Sequence, residues 1–174
     1  VNRGMVSTSG EYRFLCDADL SMPIAQISRF LPPEASNFDI AIGSREIAGA
    51  TRVGEPHIRH VMGRIYNGLV RLLAVSGISD TQCGYKCFRG DVVQELFPLL
   101  KLSGFAFDVE ILFLARKYGL RVSEVPIDWY YRSESRVRPL RDSWAMTCDI
   151  LRMRWYYLRG KYKGHLPSSK ADST

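Results

Sequence analysis

Apolar residues fall in short runs separated by polar, Gly-containing stretches, and the period of each run predicts its element. Residues 12–16 (YRFLC) follow Ser9-Gly10, a helix stop, and end at Asp17; they predict a strand that runs out into a loop. Residues 23–31 predict a short amphipathic helix, with Pro23 at its start and Pro32-Pro33 after it. Residues 38–43 (FDIAIG) predict a second strand, and 46–55 a polar, Gly-containing loop. Over 57–75 the apolar positions Val61, Met62, Ile65, Leu69, Leu72 and Leu73 recur at helical spacing on one face, and Gly77 stops the pattern. Residues 80–88 read as a loop and then a short strand. Helices are predicted at 91–99 and at 108–118, the latter capped by Gly119. Residues 121–131 (RVSEVPIDWYY) predict an extended segment, and 143–158 a last helix rich in Trp144, Trp155, Tyr156 and Tyr157. Strands alternating with helices indicate an α/β fold.

The 174 residues suffice for one domain with a real core, and 46% hydrophobic against 24% charged is a globular balance. The net charge of +6 is concentrated. From Arg132 to Lys163 nine basic residues face Glu134, Asp142 and Asp149, which accounts for the whole excess. A basic end of this kind suits phosphate groups, an anionic membrane surface or nucleic acid. Cys83 and Cys87 lack a second Cys/His pair nearby, so the four cysteines read as reduced thiols facing the cytosol rather than as a zinc site or disulfides. The best apolar run, 65–78, is broken by Asn67, Gly68 and Arg71 and falls short of the roughly 18 residues of a membrane span. No signal peptide is visible at the start, which lacks an initiator Met and reads as the start of a fragment.

Four polar clusters could carry chemistry. Asp17-Ala18-Asp19 stands where an apolar strand meets a loop; two carboxylates one residue apart can reach one Mg²⁺ or Mn²⁺ ion together with a diphosphate, though Asp17 could equally cap the next segment. The run from Asp80 to Gly84 (DTQCG) lies between apolar segments and could be a plain turn. Asp108 and Glu110 open a helix, where Asp108 could serve only as an N-cap. Arg132 and Arg136 sit in a loop after the extended segment, where they could form no more than a solvated charge cluster. The three histidines form no ligand spacing, and neither a Gly-rich phosphate loop nor a nucleophile elbow is present.

Singly these clusters are ambiguous, but their order is specific. DADLS, AIGSR, SDTQCGYKCF, FAFDVEILFLARKYG, SEVPIDW and R-x-x-S-R follow one another across residues 4–162. This succession resembles the family 2 glycosyltransferases that use polyprenyl phosphates, the dolichyl-phosphate glucosyltransferase type most closely and the dolichyl-phosphate mannose synthase type next. The resemblance implies a GT-A fold, a Rossmann-like nucleotide-diphospho-sugar transferase architecture, of which the chain holds only the C-terminal part. Residues 1–142 would be a partial catalytic domain, 143–163 a basic, aromatic, amphipathic helix and 164–174 a disordered tail. The resemblance further implies metal and sugar-diphosphate binding by Asp17 and Asp19, and a catalytic role for Asp80, as the group that deprotonates or orients the acceptor phosphate. Ser21, Arg45, Asp108 and Glu110 would line the donor side. Arg59, Arg132 and Arg136 would contact the acceptor phosphate.

Two positions depart from the pattern. Ser21 stands where the mannose synthases have a metal-adjacent Gln, which argues against mannose, and Arg136 stands where Lys is usual, which keeps the charge but alters the donor geometry. The nucleotide-binding half, with its A-Y-N-E-like motif, has no counterpart, so the chain alone is expected to be inactive. The implied reaction is an inverting, metal-dependent transfer of a hexose from a nucleotide-sugar of the UDP-glucose or GDP-mannose type to a polyprenyl phosphate. It would take place at the cytoplasmic face of a membrane, to which the protein attaches peripherally. Two alternatives exist. FLCDADLS also fits the start of a haloacid-dehalogenase phosphatase with Asp17 as nucleophile, but the downstream Lys and acidic pair are not matched. A nucleic-acid-binding module would use the aromatic, Arg-rich last helix, yet it has no use for the carboxylate motifs; no nucleic-acid partner is expected.

Overall fold

The protein is described here by a computed structural model covering residues 1–19, 21–132 and 139–163. The β-branched and aromatic runs form the main sheet. Its strands are β1 (Tyr12–Leu15), β2 (Ile40–Ser44), β4 (Lys86–Arg89) and β5 (Val122–Pro126), hydrogen-bonded in the order β1-β4-β2-β5. β4 is antiparallel to both β1 and β2, whereas β2 and β5 run parallel. A second, two-stranded parallel sheet joins β3 (Thr51–Val53) to β6 (Asp128–Tyr130). The polar loop expected at 46–55 therefore contains a strand, and the extended segment 121–131 is split by Ile127 between two sheets. The helix expected at 23–31 is a 3₁₀ helix, Ile24–Phe30.

Helices α1 (Asn2–Ser7), α2 (His57–Leu73), α3 (Gly90–Leu96), α4 (Phe107–Lys117) and α5 (Pro139–Leu158) complete the order. α4 is buried along nearly its whole length and ends at Gly119, whose φ of 72° is a left-handed cap. One apolar cluster packs Ile40, Ile42, Phe88, Leu96, Val109, Leu112, Ile150 and Met153 together, joining the main sheet to α3, α4 and α5. The other gathers Phe30, Phe38, Ala41, Tyr85, Cys87 and Ile127 on the opposite side of the sheet. At the sheet end where β2 and β5 begin, buried Asp39 takes ion pairs from Arg89 and Arg121.

α2 packs only Leu73 of the face its apolar period marks against the core. Its inward side is Tyr66, Val70, Leu73 and Ala74, while Ile58, Ile65 and Leu72 are 73%, 71% and 81% exposed and Val61, Met62 and Leu69 lie open beside them. Each large side chain left in water forgoes about 1.5–3 kcal/mol of burial. α5 is also split, with Met146, Ile150 and Met153 inward and Trp144, Leu151, Trp155 and Leu158 outward. No helix among the described residues is long and apolar enough to cross a membrane.

The chain after α5 is pinned to α4. Glu110, fully buried, accepts hydrogen bonds from the N–H groups of Lys101 and Leu102 and from the Tyr162 hydroxyl at 2.5 Å, and Tyr118 donates to the Tyr162 carbonyl. Tyr162→Phe removes one donor from a buried carboxylate. It is expected to lower unfolding stability by about 1–3 kcal/mol, read as a fall in the urea midpoint with an unchanged slope. A midpoint equal to wild type would mean that the hydroxyl contributes nothing.

Candidate functional site

The site lies at the end of the main sheet where β1 and β2 run out and β4 begins, the place where open α/β sheets present ligands to their loops. Leu15 and Ile42 both pair with Lys86, so the residues after β1 and those before β4 meet face to face. That register lays Asp17 on Gly84. A Cβ on Gly84 would stand 1.9 Å from Asp17 Oδ2, so glycine alone permits this approach. Burial of the Asp17 carboxyl raises its pKa, and the nearby Asp19 raises it further, while Lys86 and Arg45 pull it back. Asp19 is steadied by the Ser21 N–H, which donates to its Oδ1 at 2.9 Å. Ser21 itself is buried, its carbonyl accepts from the Tyr130 N–H, and its hydroxyl has no hydrogen-bond partner among the described residues.

Asp80 is held from three directions. Arg45 Nε donates to Oδ2 at 2.7 Å and its terminal nitrogen to Oδ1 at 2.9 Å; the Arg45 N–H adds a bond to Oδ2 and the Gln82 N–H one to Oδ1. This bidentate geometry is the strong form of an Arg–carboxylate pair. Burial works against the charge, but Arg45 overrides it and holds the Asp80 pKa down to about 2. Glu124, on β5, accepts the Ser79 and Asp80 N–H groups, and Asn67, on α2, binds the Ser79 carbonyl and the Thr81 N–H and hydroxyl. On its other side Arg45 lies 5.3 Å from the centre of the Trp129 ring, against which Arg52 also packs. Arg52 pairs with Glu46 and Glu55, and Arg64 reaches Glu46, so the start of α2 is tied to this corner.

Asp108, in the first turn of α4, does not cap its helix, whose N-terminus carries no side-chain cap bond. It faces the cluster instead, with Oδ1 2.8 Å from the ammonium of Lys86. Its pKa is raised by burial and by Asp17 and Asp80, and lowered by Lys86. Glu110, two residues on, cannot share that face, because positions i and i+2 diverge around a helix; its oxygens are taken by Lys101, Leu102 and Tyr162. Arg59, in the first turn of α2, packs over the Tyr131 ring at 5.1 Å, and exposed Arg132 follows Tyr131 directly. Arg136 lies outside the described residues.

The structure thus brings Asp17, Asp80, Asp108 and Arg45 together, keeps Asp19 and Ser21 in the adjoining turn, and sends Glu110 into the core. It adds Lys86, Glu124, Asn67 and Trp129, which the motifs left without a role. Lys86 carried a legible signal, a charge set between the apolar side chains of Tyr85 and Cys87. Cys83 and Cys87 are buried and free, and burial pushes their thiols up to about 11 and about 12, so neither is a thiolate at neutral pH. Among the described residues no three His, Cys, Asp or Glu side chains form a metal cage. The carboxylates of Asp17 and Asp19 are hard oxygen donors of the kind a divalent cation accepts, too few by themselves for a caged ion.

No protein-family model matches the chain. It is 33% identical over 169 residues to a dolichyl-phosphate beta-glucosyltransferase of Dictyostelium discoideum, covering 94% of this chain and 52% of that protein. It is 35% identical over 174 residues to the Drosophila melanogaster protein of the same name, with the same two coverages. The chain spans about half the length of the curated relatives it matches. Among solved structures it resembles glucosyl-3-phosphoglycerate synthase from Mycobacterium tuberculosis in complex with Mn²⁺, uridine-diphosphate-glucose and glycerol 3-phosphate. That likeness has a TM-score of 0.53 at 16% identity, over 92% of this chain and 53% of the other. The fold is GT-A.

The Arg45–Asp80 pair predicts an acid-labile increment of stability. The folded-state pKa of Asp80 lies below its ordinary 3.8, at about 2. Its contribution is therefore complete above about pH 4 and lost as the pH falls towards 2, and it amounts to about 2 kcal/mol. Urea unfolding of wild type and Asp80→Asn at pH 6 and at pH 2.5 checks this. The gap between the two proteins should narrow by most of that amount at the lower pH, and a constant gap would show that the pair does not depress the carboxyl.

Proposed function

We propose, from homology to the dolichyl-phosphate beta-glucosyltransferases over 94% of this chain and from its GT-A fold, that the protein carrying it transfers a hexose from a nucleotide-sugar to a polyprenyl phosphate. The observation that carries the reading is the convergence of Asp17, Asp80 and Asp108 with Arg45 at the carboxyl ends of β1 and β2. A cluster of acids and a rigidly held guanidinium suits a substrate whose leaving group is a diphosphate. Of the two donor types, UDP-glucose is favoured, since the relatives are glucosyltransferases and Ser21 replaces the Gln of the mannose synthases.

In the reaction an oxygen of the acceptor phosphate attacks the anomeric carbon while the bond to the nucleoside diphosphate breaks, with inversion. Asp17 and Asp19 would hold Mg²⁺ or Mn²⁺, which when bound neutralises charge gathering on the diphosphate. The acceptor phosphate is already an anion and needs no strong base. With its pKa near 2 and both oxygens bonded to Arg45, Asp80 is poorly suited to taking a proton and well suited to fixing Arg45. Arg59 and Arg132, flanking Tyr131, supply charge to the acceptor phosphate, and the same role is proposed for Arg136 from its place in the R-x-x-S-R motif. Donor-side roles fall to Ser21 and Asp108; Glu110 acts only by holding α4.

The same reading gives the exposed faces of α2 and α5 an occupant, the anionic surface of a membrane at its cytoplasmic face. α2 contains no acid, and Arg59, Arg64 and Arg71 flank its open apolar stripe. On α5, Arg152, Arg154 and Arg159 accompany Trp155 and Leu158. Such helices lie in the interface rather than span it, and each basic residue near an anionic surface is worth about 1 kcal/mol.

Three outcomes test these statements. In the full-length protein Asp19→Asn should abolish transfer with Mg²⁺ or Mn²⁺ supplied while the protein stays folded; near wild-type transfer would refute the metal role. The 174-residue chain by itself should show no micromolar binding of UDP-glucose or GDP-mannose by calorimetry, and clear binding would show that the nucleotide site lies within it. Co-sedimentation with phosphatidylserine vesicles should fall with added salt, with Arg152→Glu plus Arg154→Glu, and with Ile65→Asp plus Leu72→Asp. Sedimentation that none of these alters would rule out both helices as the contact.

A further inference from the structure

Lys86 is fully buried at the start of β4, an inner strand of the main sheet, between Leu15 and Ile42. Its ammonium donates to the Cys83 carbonyl and lies 2.8 Å from Asp108 Oδ1. A buried ion pair is a poor way to stabilise a core, since apolar side chains of similar volume generally do at least as well. Nothing in the fold calls for this one. Asp108 caps no helix, and α4 is already anchored by Val109, Ile111, Leu112 and Leu114, all buried. The site does call for it. Arg45 is committed to Asp80 through two guanidinium nitrogens, so the cation facing Asp108 is Lys86, which also acts on Asp17.

We propose that Lys86 is a positioning residue, holding the Asp108 carboxylate at the floor of the cluster so that its other oxygen accepts a hydroxyl of the transferred hexose. The inference rests on the transfer reading given above. It assigns Asp108 to the sugar and leaves Asp17 and Asp19 to the cation. It also accounts for a lysine in a strand whose neighbours Cys87 and Phe88 are wholly buried.

A double-mutant cycle tests it with two readouts, melting temperature and kcat/KM for UDP-glucose with a polyprenyl phosphate, using Lys86→Met, Asp108→Asn and both together in the full-length protein. Lys86→Met leaves a buried carboxylate unpaired and should melt well below wild type, and adding Asp108→Asn should recover part of that loss. Activity should not recover. Each single variant should lose about 100-fold in kcat/KM, the scale of one preorganised group at a reacting centre, and the double variant should be no worse than the poorer single one. If the double variant regains activity along with stability, Lys86 is merely structural and the proposal fails. If the two losses multiply, the residues act separately and it fails as well. A wild type that transfers no sugar overturns the transfer reading and this proposal with it, whereas a transferring wild type with a multiplicative cycle overturns this proposal alone.

Discussion

The bidentate ion pair between Arg45 and Asp80 is the constraint from which the rest of the site follows. It joins the residue that leaves β2 to the turn that leads into β4, two segments 35 positions apart in the chain. Two guanidinium bonds in one plane fix direction as well as distance. The pair would be costly to bury alone, but it is enclosed by further bonds from the Gln82 N–H, by the Trp129 ring, and by Glu124 and Asn67 holding the backbone on either side. With that turn immobile, Gly84 is placed where the Asp17 carboxylate can lie against it. Lys86 is then placed where it can meet Asp108.

This arrangement separates two kinds of acid. Asp80 and Glu110 are saturated by protein donors, the first by Arg45 and the second by backbone amides and Tyr162. They organise loops and have little capacity left for a ligand. Asp17 is raised in pKa by burial and by the charge of Asp19, and Asp108 by burial and by the charges of Asp17 and Asp80; Lys86 offsets part of this for both, and Arg45 for Asp17. Strained acids of this sort are where a cation or a polyhydroxylated ligand gains most from binding. The division parts two carboxylates of one short motif, Asp108 facing the cluster and Glu110 facing the core.

The helices show the limits of periodicity. The apolar period of α2 correctly marked a helix and one apolar face, but of the marked positions only Leu73 packs inward, beside Tyr66 and Val70, while Val61, Met62, Ile65, Leu69 and Leu72 face outward. Amphipathicity states that a face is apolar; it does not state what covers it. In α5 the aromatic and basic residues were legible as a group, yet Ile150 and Met153 face the core while Trp155 and Leu158 do not. The short strand β3 escaped notice because three residues with alternating exposure carry too little pattern to stand out from a polar loop.

The sequence by itself determined the alternation of strands and helices, the placing of carboxylates at strand ends and helix starts, and the order of motifs that marks the glycosyltransferase likeness. These are local properties, set by side-chain period, by Gly and Pro positions and by spacing along the chain. Only the tertiary structure decided that Arg45 is spent on Asp80, that Glu110 turns inward, that Lys86 is buried beneath the acids, and which face of α2 stays open. Each of those depends on what lies across a sheet or behind a helix, tens of residues away. Burial and charge pairing between distant residues leave no period in a chain, so they become legible only once the strands have paired in register.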